Sequence, residues 1–354
     1  MPNSSREGRK NLSSAKGTNK DTKSRTQKKP EQGKKKKGFF SSFSSLGKKI
    51  IIFLLIVIFI WPVTGFVVWG THKIYSSIDK PSFPHLDIKV QSIIKNTSPQ
   101  SPAKEKGAAL CEVMINRIQQ EMDSTFGWTV NDLIISPTSW LDNRDNRQLG
   151  TLFATRLLVG FFSTHFAKVG TAAKENEALK EAREQYFAFS ADSWWFPSSE
   201  EQFYKGIKEV RQYEEELRND NAAFVVRTDS LYELFHFIIS AEFLDQPLGL
   251  LVEENFQVDY SELDDRVFYT QGVILVLRDF LKTMNHLYPK IEERGGKENL
   301  RNAFKMMDKI CTFNPVIVLR GDHDSLFADH RSKMTRYLLN VRERLHDVAQ
   351  SLSR

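Results

Sequence analysis

One stretch of the chain is uniformly apolar. Residues 50–70 are uncharged, and the first half of this stretch is an unbroken run of Ile, Phe, Leu and Val. A helix of this length spans about 30 Å, the thickness of the hydrocarbon core of a bilayer. The run continues through Trp61 and Pro62 without a small-residue cleavage site, and too many residues precede it for a signal peptide. The pattern predicts one uncleaved transmembrane helix.

A different pattern begins near Gly107 and continues to Met122. Apolar residues recur there at helical spacing, and polar residues fall on the opposite side; the apolar set is Leu110, Val113, Met114 and Ile118. Arg117 lies on the apolar side of this predicted helix. We expect its aliphatic stem to pack there while its guanidinium reaches water or a carboxylate.

Helical patterns continue to the C-terminus, and no convincing run of alternating strand residues appears. The predicted helices cover residues 148–166, 175–189, 198–218, 231–243, 265–288, 297–313 and 325–352. Ser198 with Glu201, and Ser230 with Glu233, have the spacing of capping boxes. Residues 105–354 are therefore predicted to form an all-α domain, either as one unit or as two close subdomains.

One apolar segment has an alternative interpretation. Residues 149–169 resemble a second membrane span, which would return the C-terminus to the cytoplasm. Arg156 near the middle would cost about 2.5–3.5 kcal/mol in a bilayer, and His165 and Lys168 add to this cost. We therefore interpret the segment as a buried helix of the domain.

The segments that flank the apolar run differ in composition. Residues 71–104 are interrupted by prolines and are predicted to be an exposed stalk; these are Pro81, Pro84, Pro99 and Pro102. Residues 1–49 form the N-terminal segment, and the first 38 have almost no large apolar side chains. A disordered tail is expected, because such a segment cannot bury enough surface to offset the entropy of ordering.

Charge is distributed unevenly along the chain. Residues 1–49 hold 15 Lys and Arg against three acidic residues, a net charge of +12, whereas the remainder carries −6. The positive-inside rule keeps such a tail cytoplasmic and places the domain across the membrane. The basic run at Lys34–Lys37 sets topology in the simplest interpretation, and it would also attract anionic lipids. No nucleic-acid partner is expected, because no folded nucleic-acid-binding domain accompanies the basic run.

Cys111 and Cys311 are the only cysteines. An exported domain allows a disulfide, but their separation in sequence says nothing about their distance in space. Cys111 lies beside apolar residues of its predicted helix, where a free buried thiol is the usual state. The free state is therefore the favoured alternative.

A group of acidic residues and histidines near the C-terminus is a candidate metal site. It comprises Asp322, His323, Asp324, Asp329 and His330. These side chains are metal ligands, but the group lacks any recognised ligand spacing. The start of a helix explains the acids as caps and partners of the helix dipole. No metal site is predicted.

Residues 142–147, Asp-Asn-Arg-Asp-Asn-Arg, supply oxygen ligands of the kind that calcium uses. The arginines oppose a cation, and the glycine and terminal Glu of an EF-hand loop are missing. We predict a polar loop that leads into the following helix.

The scattered acids Glu253, Glu254, Asp264 and Asp265 would form a glycosidase pair only if the fold brought two of them together.

Aromatic residues cluster in the segment between two predicted helices. They are Tyr186, Phe187, Phe189, Trp194, Trp195 and Phe196, followed by Pro197. Aromatic side chains can stack on sugars or grip a peptide. Packing into the core beneath an inter-helix loop is the simpler prediction.

Common enzymatic signatures do not occur in the sequence. There is no P-loop, no Rossmann glycine fingerprint, no nucleophile elbow and no zinc-protease helix signature. We therefore predict no catalytic, cofactor-binding or metal-binding residue and no cofactor.

Four short stretches carry a resemblance to a known family. They are Gly127-Trp128-Thr129-Val130-Asn131-Asp132, Leu141-Asp142-Asn143 with Gln148-Leu149-Gly150, Trp195-Phe196-Pro197-Ser198, and Tyr269-Thr270-Gln271-Gly272. Over most of residues 105–350 the chain resembles a bacterial family of single-pass membrane proteins classed only as a domain of unknown function. The family has no established activity or site residues, so the resemblance implies a bacterial inner-membrane location and no mechanism.

These patterns together predict a bitopic inner-membrane protein with a cytoplasmic tail and a periplasmic α-helical domain. The expected role is a non-catalytic scaffold or interaction module with the bilayer and an envelope protein as partners. The alternative is an envelope hydrolase acting on glycan or peptide. A deep cleft with a carboxylate facing a histidine or second carboxylate would favour the hydrolase. A shallow apolar surface patch without such groups would favour the scaffold or interaction module.

Overall fold

The computed structural model describes residues 45–353, except residues 79–82, 84, 125, 134–135, 137, 139–141, 169–173, 253–259, 316–317 and 320–327. The chain divides into two compact units, a first unit of Met1–Phe53 and a second unit of Leu54–Arg354. The described part of the first unit is the beginning of a helix. Residues 1–44 of the predicted disordered tail lie outside the described residues.

The described residues form helices and no strand, which confirms the all-α prediction. The α-helices are α1 (Ser45–Ile78), α2 (Ile88–Asn96), α3 (Ala103–Asp123), α4 (Asp142–Phe161), α5 (Glu177–Glu181), α6 (Ser199–Arg218), α7 (Thr228–Ile238), α8 (Asp245–Val252), α9 (Tyr260–Leu287), α10 (Lys297–Cys311) and α11 (His330–Leu352). Short π-helical segments follow α4 and α5 and precede α10; they are Phe162–Phe166, Ala182–Tyr186 and Glu292–Gly296.

Helix α1 contains the candidate membrane span. Gly47–Val67 is long and apolar enough to cross a membrane, and in the described part of the chain no other helix meets this criterion. Its apolar side chains are largely exposed, as in Phe53 and Phe59. The segment begins three residues before the predicted start at Ile50, and α1 itself runs through Pro62 to Ile78.

Helix α9 is the central helix of the second unit. Residues 271–280 are all buried, and α9 packs against α3, α4, α8 and α10. Gln271, although polar, is satisfied in the core because its amide donates to the carbonyl oxygens of Ile310, Cys311 and Phe313 at the end of α10. Carbonyl groups at a helix end lack partners within the helix, so this side chain caps α10.

Helix α4 lies along α9 and belongs to the core. Leu158 and Phe162 are fully buried, which confirms that this segment is a core helix of the domain. The two helices cross at two glycines. A Cβ atom at Gly150 would lie 2.0 Å from the Tyr269 carbonyl oxygen, and one at Gly272 would lie 2.1 Å from that of Arg147. No side chain fits between backbones at this distance, so both positions require glycine.

The buried side of α3 matches the predicted pattern. Leu110, Val113, Met114 and Ile118 are fully buried. Arg117 packs among them, and its guanidinium contacts a carboxylate on α9, that of Asp279. The expectation that its head reaches water or a carboxylate is confirmed.

The segment predicted as an exposed stalk contains helix α2. The Asp87 side chain caps this helix by accepting a hydrogen bond from the Lys89 amide, and Val90 is buried in the core of the second unit. The proline spacing predicts a linker, but the stretch between Pro84 and Pro99 is long enough for a helix of nine residues. Such a helix is stable because tertiary packing on α3 and α9 supports it.

One predicted helix start is confirmed and another is wrong. The Ser198 hydroxyl accepts a hydrogen bond from the Glu201 amide, and α6 begins at the next residue. Ser230 does not cap α7, because that helix already begins at Thr228. The buried face of α7, which includes Leu231, fixes its position in place of a side-chain cap.

Candidate functional site

The aromatic loop, residues 190–198 between the π-helical segment after α5 and helix α6, is the main exposed apolar feature of the second unit outside α1. Trp194, Trp195 and Phe196 are exposed by 55%, 66% and 85%. The prediction that these aromatics pack in the core is therefore wrong for this part of the cluster. It holds for Phe187, which is buried against Gly206 of α6.

The backbone of the aromatic loop is held from beneath by side chains. The Trp128 indole donates to the Ala191 carbonyl oxygen (2.8 Å), and the Asn131 amide donates to that of Ser193 (2.9 Å). The hydroxyl of buried Ser199 lies 2.8 Å from the Ser190 carbonyl oxygen and 3.0 Å from that of Ser193. The exposed rings thus stand on a backbone fixed by several hydrogen bonds.

The bracing segment, residues 127–131, connects the aromatic loop to the core. Gly127 has a φ of +63°, a conformation that favours glycine. Its carbonyl oxygen accepts hydrogen bonds from Arg144 (2.9 Å) and Gln148 (2.8 Å) of α4. The Gln148 side chain also accepts from the Thr129 amide (2.9 Å). These bonds fix the bracing segment on α4.

A buried carboxylate joins α3 to the same end of α4. Glu121 pairs with Arg147 at 2.9 Å and with Arg144 at 3.2 Å. Burial raises the pKa of Glu121, but the charges of Arg147 and Arg144 lower it by more, so the pKa lies below its ordinary value. The carboxylate is therefore ionised and holds both arginines in place.

Carboxylates flank the exposed rings of the aromatic loop in the sequence. Residues 186–204 contain three acidic residues, Asp192, Glu200 and Glu201, and no Lys, Arg or His. Glu200 accepts a hydrogen bond from Asn131 at 2.8 Å, which holds it beside the aromatic loop. A hydrogen bond to Asp123, burial and the charges of Asp123 and Glu200 raise the pKa of Tyr204 to about 12. This face of the molecule is both aromatic and acidic.

Residues 142–147 form the first turns of α4, so the prediction of a polar loop is wrong. Asn and Asp favour turns, but tertiary contacts satisfy these side chains within a helix. Asn146 donates to Asp265 of α9 at 2.6 Å, and the Thr129 hydroxyl donates to Asp145 at 2.5 Å. Asp265 is thus a structural acceptor, while Glu253 and Glu254 lie outside the described residues.

Only two residues of the candidate metal group, Asp329 and His330, are among the described residues. Asp322, His323 and Asp324 lie outside the described residues. Asp329 caps α11 by accepting from the Ser332 amide, and His330 Nδ1 accepts from the Leu319 amide. Across the described ranges no three His, Cys, Asp or Glu side chains are grouped so as to hold a metal ion.

A groove of about 620 Å³ lies beside the end of α4 and the end of α7. His165 in this groove stacks on Phe161, with ring centroids 4.1 Å apart, and its Nδ1 lies 2.7 Å from the Thr164 hydroxyl. Glu184 is paired with Arg183. The described contacts of the groove do not join His165 to a carboxylate.

Both cysteines are free and buried. Burial, with smaller contributions from nearby charges, raises the pKa of Cys111 well above its usual range and that of Cys311 to about 12. Thiols in this state are poor nucleophiles. The favoured alternative of free thiols is confirmed.

Over the described residues, the fold and this site define a helical protein with one candidate membrane helix and a braced aromatic loop. The chain belongs to the family described as "Uncharacterized protein conserved in bacteria (DUF2333)", whose model matches residues 46–242. Neither the curated proteins nor the solved structures contain a match to the chain.

The structure explains the stretches that carried the family resemblance. Gly127–Asn131 form the bracing segment, and Trp195–Ser198 belong to the aromatic loop that it supports. Gly150 and Gly272 form the crossing of α4 and α9. The family match includes the first three stretches and ends before Tyr269–Gly272.

Proposed function

We propose that the protein is a bitopic protein of the bacterial inner membrane and acts as a non-catalytic interaction module of the envelope. The N-terminal basic tail is cytoplasmic, and the helical domain lies in the periplasm. The aromatic loop docks an envelope protein. The observation that carries this proposal is the exposure of three consecutive large aromatics on a loop whose backbone is fixed.

Exposure of Trp194, Trp195 and Phe196 is costly unless a partner covers them. Fully burying such a side chain is worth about 1.5–3 kcal/mol. Trp is also among the residues that dominate binding energy at protein interfaces. Because bracing already holds the loop backbone, little conformational entropy would be lost on docking. These features support recognition of a partner.

The location is supported by the candidate span and by charge. Residues 1–49 carry a net charge of +12. They precede the candidate span Gly47–Val67 and overlap its first three residues. Such an excess of Lys and Arg keeps the N-terminal side cytoplasmic.

Topology is tested with two reporters fused in turn after Arg354 in a bacterial cell. A reporter active only in the periplasm should be active, and one active only in the cytoplasm should be inactive. The reverse pair of results would overturn the proposed location of the domain.

Docking is tested by replacing Trp195 with a photo-crosslinking amino acid in the full-length protein in living cells. The matched control carries the same amino acid at Leu339, which is exposed by 40% on α11. A discrete protein adduct should form from position 195 and be absent from position 339. Adducts only to lipid, or equal adducts from both positions, would contradict the proposal.

The alternative remains an envelope hydrolase acting on glycan or peptide. The groove that contains His165 is the feature on which it would depend. Two carboxylates, those of Glu184 and Glu242, also line this groove, and Glu184 is paired with Arg183. Hydrolysis of purified peptidoglycan by the full-length protein, lost in His165→Ala, would favour this alternative over the interaction module.

A further inference from the structure

We infer that the aromatic loop recognises a cationic segment of its partner protein, a stretch bearing exposed Lys or Arg side chains. The inference rests on the proposed function and specifies the chemistry of the partner. It follows from the acids that border the exposed rings.

The aromatic loop lies in an acidic region without nearby basic residues in sequence. Residues 186–204 contain three carboxylates and no basic side chain. In the described part of the chain the nearest cation in sequence on α6, Lys205, is already paired with Glu201 at 2.7 Å. Asp192 and Glu200 have no such ion pair among the described residues, and their contacts are with Ser190 and Asn131. Two carboxylates are therefore available to attract a cation.

The exposed rings favour the same kind of group. Trp is the best aromatic partner for a Lys or Arg side chain, because its electron-rich face attracts a cation. Trp194 and Trp195 lie edge to face, with centroids 5.2 Å apart and an interplanar angle of 69°. Two differently oriented indoles beside carboxylates can therefore bind the stem and the charged head of such a side chain.

The same charges argue against an anionic lipid surface as the occupant. Exposed Trp and Phe also suit the interface of a bilayer. Carboxylates at the border of the loop would be repelled by negatively charged headgroups, because like charges at an interface are unfavourable. A basic protein segment satisfies both the rings and the acids.

The test extends the crosslinking from position 195 by sequencing the crosslinked peptide of the captured protein. The captured segment should contain more Lys and Arg than Asp and Glu. A second variant adds Asp192→Asn and Glu200→Gln, which keep the acceptor oxygens that bond to Ser190 and Asn131. The adduct yield should fall by about three- to tenfold, because only the charges are removed.

Controls separate a loss of charge from a loss of fold. Lys305→Gln, an exposed position on α10 whose side chain has no described ion pair, should leave the yield from position 195 unchanged. Circular dichroism of each purified full-length variant should match that of the parent. A fall in yield with unchanged helicity then reflects charge at the aromatic loop.

The two proposals fail in different ways. A neutral or acidic captured segment, or an unchanged yield in the Asp192→Asn and Glu200→Gln variant, would overturn the preference for a cation and leave the interaction module intact. Absence of any adduct specific to position 195 would overturn the interaction module itself.

Discussion

Arg117 Nη2 on α3 lies 2.6 Å from Asp279 Oδ2 on α9, in a part of the core where both side chains are almost completely buried. Asp279 Oδ1 also accepts from Arg278 Nε at 3.1 Å. Asp279 is therefore a buried counter-ion that two arginines share, and Arg278 also pairs with Asp308 at 3.4 Å.

Asp279→Asn should strongly destabilise the domain, because both guanidinium groups lose their shared counter-ion. Breaking a buried pair in this way costs about 3–5 kcal/mol. The matched control is Asp220→Asn, since Asp220 is exposed and pairs with Lys104 at 2.8 Å. It should cost about 1 kcal/mol or less. Urea unfolding followed by circular dichroism measures both, and equal losses would contradict the assignment of Asp279.

Gly150→Ala and Gly272→Ala should each separate α4 from α9. An added Cβ would lie about 2 Å from a backbone oxygen, and backbone cannot move aside cheaply. Overpacking of this kind costs at least about 1–3 kcal/mol.

The control for these glycines is Gly249→Ala in α8. Nothing lies within 4 Å of a Cβ atom built there, so only the gain in helix propensity applies. This variant should be unchanged or more stable by about 0.4–1 kcal/mol. If thermal unfolding midpoints of all three variants shifted alike, the glycine crossing would not be a close contact.

Stability should fall at acid pH partly through Glu121. Its pKa in the folded protein lies below the ordinary 4.5, because Arg147 and Arg144 outweigh the effect of burial. The stabilisation is therefore fully present above pH 4.5 and is lost as pH falls through the lowered folded-state pKa. The free energy of unfolding of Glu121→Gln should be reduced at pH 7 and should depend less steeply on pH below 4.5.

Glu209 provides a control of opposite sign. Burial and the charge of Glu181 raise its pKa above the ordinary value, so its ionised form is disfavoured in the folded state. Glu209→Gln should be as stable as the parent, or more stable, at pH 7. A loss of stability in both variants would show that these positions act through packing.

Fragments of the second unit should differ in stability according to whether they include Phe83 and His85. The backbone oxygens of both residues accept hydrogen bonds from buried Arg278. The Phe83 ring also lies 5.4 Å from the Arg117 guanidinium and 5.5 Å from that of Arg147. Residues 81–354 and residues 101–354 should both be soluble and helical, but only the longer fragment keeps these contacts.

The shorter fragment should melt on the order of 5–10 °C lower, because it removes the two backbone oxygens that accept hydrogen bonds from buried Arg278. Differential scanning calorimetry of the two fragments measures the difference. Phe83→Ala in the longer fragment separates the contribution of the ring from that of the backbone oxygens. Equal melting temperatures for both fragments would mean that the segment before α3 contributes nothing.

Several features could be predicted because they depend on residues close together in sequence. The apolar run of α1 and the periodic pattern of α3 are local, and so is the Ser198 cap of α6. Arg117 could be placed on the buried side of α3 by angle alone. Its partner could not be named, because Asp279 lies 162 positions away in sequence.

The candidate site was identified only in part. The sequence shows the aromatic cluster, but it predicts packing in the core because large aromatic side chains are usually buried. Whether a ring is covered depends on which elements lie over it, and hydrogen bonds from Trp128, Asn131 and Ser199 instead hold the loop backbone beneath the rings. No local signal in the sequence distinguishes Phe187, which is buried, from Phe196, which is exposed.

The helical class, the candidate span and the charge asymmetry follow from the amino-acid sequence alone, because hydrophobic periodicity and net charge need no knowledge of distant contacts. Three further features depend on the tertiary structure: residues 142–147 are helical, α2 packs on the domain, and the aromatic loop is exposed. In each case the deciding free energy comes from contacts between residues far apart in the chain, as between Glu121 and Arg147. Local propensity is weaker than such contacts and is overridden where they form.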